Sequence, residues 1–304
     1  MKKKKEYEVI IVGGSYSGLA AAMALGRALR KVLVIDSDLP CNRQTPYSHN
    51  FITQDGKPPK EIATLAMQQV KNYATVAFLN DLAIHGTKTE NGFEIQTKHG
   101  KTIAAKKLIF ATGIKDLIPN LEGFSECWGI SVLHCPYCHG YEVKGLPTGI
   151  LGNGESGFEL AKLISNWTQD LSIFTNGKAI FTTEQLTLLD RQNIKIEERG
   201  IQKIKHSKGL VESIAFKDKS QTPIQALYAR LPFTQHCALP EHLGCAINEE
   251  GYIKVDALQK TSIQGVYVCG DNSSRMRTVA NAVSTGTTAG MMLNKEIIEE
   301  SFTN

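Results

Sequence analysis

Twice along this chain a short, mostly apolar run empties into a glycine-rich turn and then into a segment of small residues. The first copy is Val9-Ile10-Ile11-Val12 followed by Gly13-Gly14-Ser15-Tyr16-Ser17-Gly18. The second is Thr148-Gly149-Ile150-Leu151 followed by Gly152-Asn153-Gly154-Glu155-Ser156-Gly157. Apolar runs without alternation belong to strands buried on both faces, the situation inside a parallel sheet. A glycine turn of this spacing lets the strand reverse into a helix that packs back onto it. The repeat therefore selects an α/β fold built from two copies of one unit.

In the first copy the helix is predicted from Leu19 to about Arg30. The next strand, Val32-Leu33-Val34-Ile35, ends at Asp36, 18 residues after the last glycine. This is the spacing of a dinucleotide-binding βαβ unit. Gly13 allows the tight turn, Gly18 lets the helix approach the strand, and the helix N-terminus faces a pyrophosphate. Asp36 is placed to accept hydrogen bonds from ribose hydroxyls. Ser15 stands at the middle glycine position, so its side chain must turn away from the pyrophosphate or donate to it. A βαβ unit with no ligand would carry the same pattern. The second copy has the full spacing at Gly152, Gly154 and Gly157, with a helix through Ile164 and the strand Leu171-Ser172-Ile173-Phe174, which suits a nicotinamide nucleotide.

A further apolar strand, Lys107-Leu108-Ile109-Phe110-Ala111, ends in Thr112-Gly113. Ile114 to Gly123 carries Pro119 and no period, and reads as a crossing between domains; Leu231-Pro232-Phe233-Thr234 reads as the return. Gly265 to Asp271 is a strand ending in Gly270-Asp271, and Ala280 to Ile298 reads as a closing helix. The expected architecture is two Rossmann-like, three-layer nucleotide-binding domains, the second inserted into the first. Their boundaries are residues 1–116 with 233–304, and 117–232.

A chain of 304 residues can bury two such cores, and 42% apolar with 21% charged residues is ordinary for a globular protein. The formal charge of +4 draws partly on Lys2–Lys5, read as a solvated tail. No basic stripe interleaves with aromatics, so nucleic acid is not an expected partner. Glu6 and Glu8 interrupt the start of the chain, and no segment offers roughly 18 uncharged apolar residues, so neither a signal peptide nor a membrane span is expected. Seven cysteines without a secretion signal fit a reducing, cytoplasmic setting better than a disulfide framework.

Two of those cysteines lie in Cys135-Pro136-Tyr137-Cys138-His139-Gly140-Tyr141-Glu142. Cysteines separated by two residues can close and reopen a small disulfide ring with little backbone movement. At a helix start, free N–H groups and the macrodipole favour the thiolate. His139 could move the proton, and Glu142 could orient it if both lie on one helix face. Cys127, His134, Cys135, Cys138 and His139 also form a local Cys/His cluster of the kind zinc uses, but adjacent His134-Cys135 and Cys138-His139 pairs make awkward chelates and no second CxxC exists; no metal is expected. His134 reads as structural, Cys41 as inert, and Cys237, Cys245 and Cys269 as small buried hydrophobes. Tyr137 and Tyr141 line the substrate approach or simply pack.

The first glycine loop with Asp36, the Ala111-Thr112-Gly113 strand end, the CxxC in the second domain and the late Gly270-Asp271 together resemble low-molecular-weight thioredoxin reductases over nearly the whole chain. The resemblance implies FAD along the first domain, with Gly13, Gly14, Gly18 and Asp36 at its ADP half, Asp271 at the ribityl-pyrophosphate region and Asn50 near the flavin ring. It also implies a homodimer. Cys138 would be the flavin-side thiol and Cys135 the exchange thiol. The match is closer to a subgroup with a CPYCHGYE-type centre, which includes dithiol oxidases; there His139 replaces the acidic aspartate of ordinary thioredoxin reductases.

The nicotinamide apparatus departs from that family in two places. NADPH-using relatives follow the second domain's second strand with an arginine cluster for the 2′-phosphate. Here Thr175-Asn176-Gly177-Lys178-Ala179-Ile180-Phe181 offers only Lys178. The family's Arg-Gln-Ala run is replaced by Val279-Ala280-Asn281, with Arg275 and Arg277 out of register. NADPH or NADH thus stays possible but weakly supported. The partner would be a thioredoxin-like protein or a small dithiol or disulfide. Open alternatives are an oxygen-linked dithiol oxidase, a reductase fed by a non-nicotinamide donor, and a flavin sensor without turnover.

Overall fold

The computed structural model describes residues 6–303, and the Lys2–Lys5 tail lies outside the described residues. The chain divides into two compact units. One takes the chain through Arg43, then Asn50–Lys115 and the chain from Phe233; the other takes Gln44–His49 and Asp116–Pro232. Gln44–His49 thus packs with the second unit, although chain order alone assigns it to the first domain. The cause is local: a Cβ on Gly129 would lie 3.0 Å from Thr45 Oγ1, so this short stretch is seated directly on the second unit's backbone.

The first unit opens with β1 (Glu6–Val12), α1 (Tyr16–Arg27), β2 (Val32–Asp36), α2 (Pro59–Lys71) and β3 (Val76–Asn80). β1, β2 and β3 are parallel neighbours. β4 (Ala83–Thr89) and β5 (Gly92–Thr97) return antiparallel to β6 (Thr102–Phe110), which lies parallel to β1 on its other side. The short β7 (Ile114–Asp116) follows. Val9, Ile11 and Val34 pack into one buried cluster with α1 residues, while Ile10, Leu33 and Ile35 pack into the cluster on the opposite face. Burial on both faces is why this strand reads as unbroken apolar sequence. α1 begins three residues before the predicted start, because extended Ser15 is its N-cap and Gly18 lies inside the helix. It ends at Arg27 because Leu29 turns into the left-handed region at φ 62°.

The second unit contains α3 (Phe124–Cys127), β8 (Val132–Leu133), α4 (Pro136–His139), β9 (Thr148–Leu151), α5 (Gly154–Ile164), β10 (Leu171–Phe174), α6 (Thr183–Arg191) and β11 (Lys195–Glu197). An antiparallel sheet of β12 (Ile201–Ser207), β13 (Leu210–Phe216) and β14 (Gln221–Pro223) follows, then β15 (Ala226–Ala229). The main sheet is all parallel in the order β11-β10-β9-β15-β8. Ile150, Ile164 and Tyr228 share the core on the α5 face; Phe174, Phe216 and Leu227 share the core on the other. α6 starts with a reciprocal cap between Thr182 and Gln185.

The chain completes the first unit with β16 (Phe233–Gln235), which pairs with β7, then α7 (Leu239–His242), β17 (Val266–Val268) and α8 (Val279–Thr303). β17 lies parallel to β6, so the parallel core runs β3-β2-β1-β6-β17. α8 crosses α1 at close range: a Cβ on Gly286 would lie 2.1 Å from the Ser17 carbonyl oxygen. Its far end is held by buried charge. Lys107 Nζ lies 2.7 Å from Glu296 and 2.6 Å from Glu300, and Tyr267 donates to Glu296 at 2.9 Å. Among the described residues no helix is long and apolar enough to cross a membrane. The fold is α/β with two Rossmann-like units, the second inserted into the first.

Candidate active site

Cys135 follows β8 in extended conformation (φ −123°, ψ 117°) and caps α4, which Pro136 opens with a ring already set for helix. Cys138 Sγ donates to Cys135 Sγ at 2.9 Å, and both thiols are half-buried. Closing a disulfide would bring the sulfurs together by roughly 1 Å, since the bond is about 2.05 Å long. α4 is a single turn, with Gly140 donating to the Pro136 carbonyl at 2.6 Å. One turn has little macrodipole, so the expected dipole contribution to a thiolate shrinks to nearby N–H groups. Gly140 is required: a Cβ there would sit 2.8 Å from the Trp167 indole, which also meets Tyr137 edge-on at 5.6 Å.

His139 ends α4, half-buried, and burial holds its pKa below the ordinary histidine value; Glu142 opposes that shift and His49 adds to it. The imidazole is therefore neutral near pH 7 and able to accept a proton. Glu142 lies past the helix, in the following turn, and its carboxylate lies 3.5 Å from His49 Nε2. The expected Glu142–His139 helix pairing is thus replaced by a carboxylate set among two histidines. His49 was missed in the sequence because it is 93 residues away and its neighbour Asn50 carried the signal.

The remaining cysteines separate by burial. Cys127 and Cys269 are fully buried, and burial pushes their thiols up to about 11 and about 12. Cys245 is buried, Cys237 half-buried and Cys41 exposed. Among the described residues no group of three or more His, Cys, Asp or Glu side chains is arranged to hold a metal ion.

The two glycine turns differ in what covers them. In the first, Gly13 has φ 102°, and a Cβ on it would lie 2.3 Å from the Ala111 carbonyl oxygen. A Cβ on Gly18 would lie 1.9 Å from the Gly13 carbonyl oxygen. Asp36 accepts from the Gly14 N–H at 2.9 Å, which fixes the acid at the strand end against the turn. α1 has no acidic residue in its first turn and no side-chain cap from Ser15. Its first N–H groups are therefore left for an incoming anion. Asn272, fully buried, ties this region together by donating to the Phe110 carbonyl at 3.2 Å and to Thr112 Oγ1 at 3.3 Å. Thr112 and Gly113 (φ 65°) close the β6 end, and Gly270 (φ 89°) leads into Asp271, which lies 4.0 Å from Arg277 Nε. Asn50 takes φ 59° and donates its N–H to Asp55 at 2.7 Å.

The second turn is closed by its own chain. Asn153 accepts from the Gly154 N–H at 2.8 Å and the Ile180 N–H at 3.0 Å, and donates to the Lys178 carbonyl at 2.9 Å. Ile180 lies over Gly154, where a Cβ would meet its Cγ1 at 3.1 Å. Glu155 adds an acid to the first turn of α5, held by Gln185 Nε2 at 2.6 Å. The backbone position that meets a pyrophosphate in such loops is thus covered by an isoleucine and its N–H is already bonded.

Two parallel-sheet units with glycine turns, one of them carrying a paired-cysteine centre, define a nucleotide-linked thiol–disulfide oxidoreductase. The pyridine nucleotide-disulphide oxidoreductase family profile matches residues 7–286. The thioredoxin reductase tcpT of Claviceps purpurea is 29% identical over 96% of this chain and 95% of its own length. An oxidoreductase of Agrobacterium tumefaciens is 32% identical with a TM-score of 0.90, covering 97% of this chain and 99% of that one. A candidate thioredoxin reductase of Bacillus anthracis superposes with a TM-score of 0.92 at 28% identity, covering 97% and 99%. The chain belongs to the pyridine nucleotide-disulphide oxidoreductase family, whose members bind FAD and usually draw electrons from NAD(P)H, and it is thioredoxin reductase-like.

Proposed function

We propose that the protein is an FAD-dependent thiol–disulfide oxidoreductase that passes electron pairs through the Cys135–Cys138 pair. The observation that carries this reading is the 2.9 Å approach of the two sulfurs on one helical turn beside a neutral His139. The FAD-binding domain is residues 1–116 with 233–304, less the Gln44–His49 stretch and Asp116, which pack with the second unit. Its uncapped α1 N-terminus fits a pyrophosphate, and Gly13, Gly14, Gly18 and Asp36 form the cradle. Ala111, Thr112, Gly113, Gly270, Asp271 and Asn50 complete the set. FAD supplies two-electron redox chemistry when bound. Residues 117–232, the body of the second unit, form the NAD(P)H-binding-like domain that carries the thiol centre.

In the reductive direction the Cys135 thiolate attacks a substrate disulfide, forming a mixed disulfide and releasing one substrate thiolate. Cys138 then attacks Cys135 Sγ, which releases the second substrate thiol and leaves the Cys135–Cys138 disulfide. His139 takes the thiol proton and returns it to the leaving sulfur, with Glu142 holding the histidine side of the site. In the oxidative direction a substrate dithiol is closed by the same exchanges in reverse. The substrate is a thioredoxin-like protein or a small dithiol or disulfide, in the cytoplasm. An apolar groove of about 910 Å³ along α1, α2 and α8, lined by Leu19, Met23, Phe51, Leu65 and Met291, supports a homodimer.

The closed second turn favours a second, narrower reading: electrons do not enter from a pyridine nucleotide at Gly152, Gly154 and Gly157, and the enzyme runs as a dithiol oxidase discharged by oxygen or draws on another donor. The test is anaerobic titration of the purified protein, following the flavin band. Bleaching by a small dithiol in wild type but not in Cys138→Ser supports the thiol relay; equal bleaching in both refutes it. Bleaching by NADPH or NADH at stoichiometric amounts refutes the narrower reading alone.

A further inference from the structure

Tyr228, on β15, is 1% exposed, and its hydroxyl has no hydrogen-bond partner among the described residues. A buried hydroxyl left unpaired costs stability, and phenylalanine would fill the same space without that cost. Its position in the sheet sets which groups lie near the hydroxyl. β15 runs parallel to β8 with Tyr228 opposite Leu133, and both side chains belong to the core cluster on the α5 face. Cys135, itself extended, follows Leu133 by two residues across a bend at His134, just beyond the strands' C-terminal ends, and it is close enough for its charge to act on the Tyr228 phenol. Two residues span at most about 7 Å, within reach of a phenol leaning along the strand.

We propose that the Tyr228 hydroxyl donates a hydrogen bond to the Cys135 thiolate when the pair is reduced, which makes it a further catalytic residue of the centre. The inference rests on the reading of Cys135 as the exchange thiol. No proton is transferred to or from Tyr228. Burial first, and then the neighbouring Cys135, Glu142 and Cys138 charges, push the phenol far above its usual range, so it acts as a donor only. The Cys135 proton leaves to His139. A disulfide offers only weak acceptors, so the bond forms chiefly in the state that carries negative charge, and it favours that state. His139, His49 and Glu142 are further titratable groups at the centre, and the half-buried His134 immediately precedes Cys135.

The test uses pre-reduced protein in a Cys138→Ser background, so that Cys135 is the only thiol of the pair, with and without Tyr228→Phe. Alkylation by iodoacetamide at pH 7 is followed peptide by peptide, with exposed Cys41 as the internal reference. Loss of a hydrogen bond to a charged sulfur is expected to slow Cys135 about tenfold and leave Cys41 unchanged. Equal Cys135 rates with and without the hydroxyl overturn the role of Tyr228 and leave the thiol relay standing. A Cys135 that reacts no faster than Cys41 when Tyr228 is present overturns the activated thiol and the proposal with it. Thermal melting of Tyr228→Phe alone, with the pair oxidised, is the second measurement. Melting at or above wild type is expected, and a clear drop overturns the proposal, since the hydroxyl would then serve the oxidised fold.

Discussion

The Ile180 N–H donates to Asn153 Oδ1 at 3.0 Å, which pins the strand-to-helix connection of the second unit across its own glycine turn. The same carboxamide oxygen takes the Gly154 N–H, the group a pyrophosphate would use. In the first unit the matching turn has no such cover, and Asp36 instead steadies it from the strand side. Two turns of similar sequence are thus in different states of access. Removing the bridge with Asn153→Gly and the cover with Ile180→Ala is expected to raise NADPH affinity by tenfold or more over wild type, measured by titration calorimetry. The gain rests on freeing an N–H for a charged acceptor. No gain in the double variant would mean that the missing arginines, and not the cover, set the affinity.

Gly18→Ala tests the first turn. The added Cβ falls 1.9 Å from the Gly13 carbonyl oxygen, a backbone atom that cannot swing aside. The turn must open, at a cost of about 2 kcal/mol as for other overpacked sites. The expected outcome is a protein purified with little flavin and a lower melting temperature, checked by absorbance per polypeptide and by calorimetry.

His139 is expected to set an acidic limb on turnover. Its folded pKa lies below the ordinary 6.5, chiefly through burial, so the neutral base persists as pH falls below 6.5 and is lost only on passing the lowered value. Folding linkage has the same sign: the unfolded histidine binds its proton first, so this contribution to stability is full above 6.5 and disappears as pH falls through the folded pKa. Rate against pH is expected to fall on the acid side with a midpoint below 6.5. His139→Gln should remove that limb and slow turnover about a hundredfold, the usual worth of a general base.

Glu296 is the hub of a buried charge cluster. Burial raises its pKa, but bonds from Lys107, Lys260 and Tyr267 outweigh that and hold it below the ordinary carboxylate value. Among the described residues, Glu296→Ala leaves Lys107, 6% exposed, with the half-exposed Glu300 as its ion-pair partner, and leaves the Tyr267 hydroxyl unanswered. A loss of about 3 kcal/mol is expected by denaturant unfolding. The wild-type contribution is present above the unfolded carboxylate pKa and is lost as pH drops through the lowered one.

Much of this molecule was legible as a line of residues, because its strongest signals are local. Unbroken apolar strands such as Val9–Val12 declare burial on both faces, and Gly13 and Gly18 declare a turn that tolerates no Cβ. The cysteine spacing is local too. What escaped the sequence depends on residues brought together by the fold. His49 reaches Glu142 from 93 positions away, Asn272 ties down the Phe110–Thr112 strand end, and Tyr228 lies opposite Leu133 on the strand that leads to the CxxC centre. The closure of the second turn is half visible in the sequence: the arginines are missing there, but the grip of Asn153 on Lys178 and Ile180 exists only once the loop folds back. The cysteine spacing places Cys135 at a helix start but does not set the helix length, which is one turn because the chain leaves the helix at Gly140 and Tyr141.

The most direct measurement is a redox thiol count resolved to single cysteines. Air-oxidised protein and protein reduced with a small dithiol are each denatured in alkylating reagent, and the peptide containing Cys135 and Cys138 is weighed. The expected result is no label on this peptide when oxidised and two labels when reduced, with Cys127, Cys245 and Cys269 labelled equally in both. Two labels under both conditions would show that Cys135 and Cys138 do not form a redox pair, and would contradict the thiol relay.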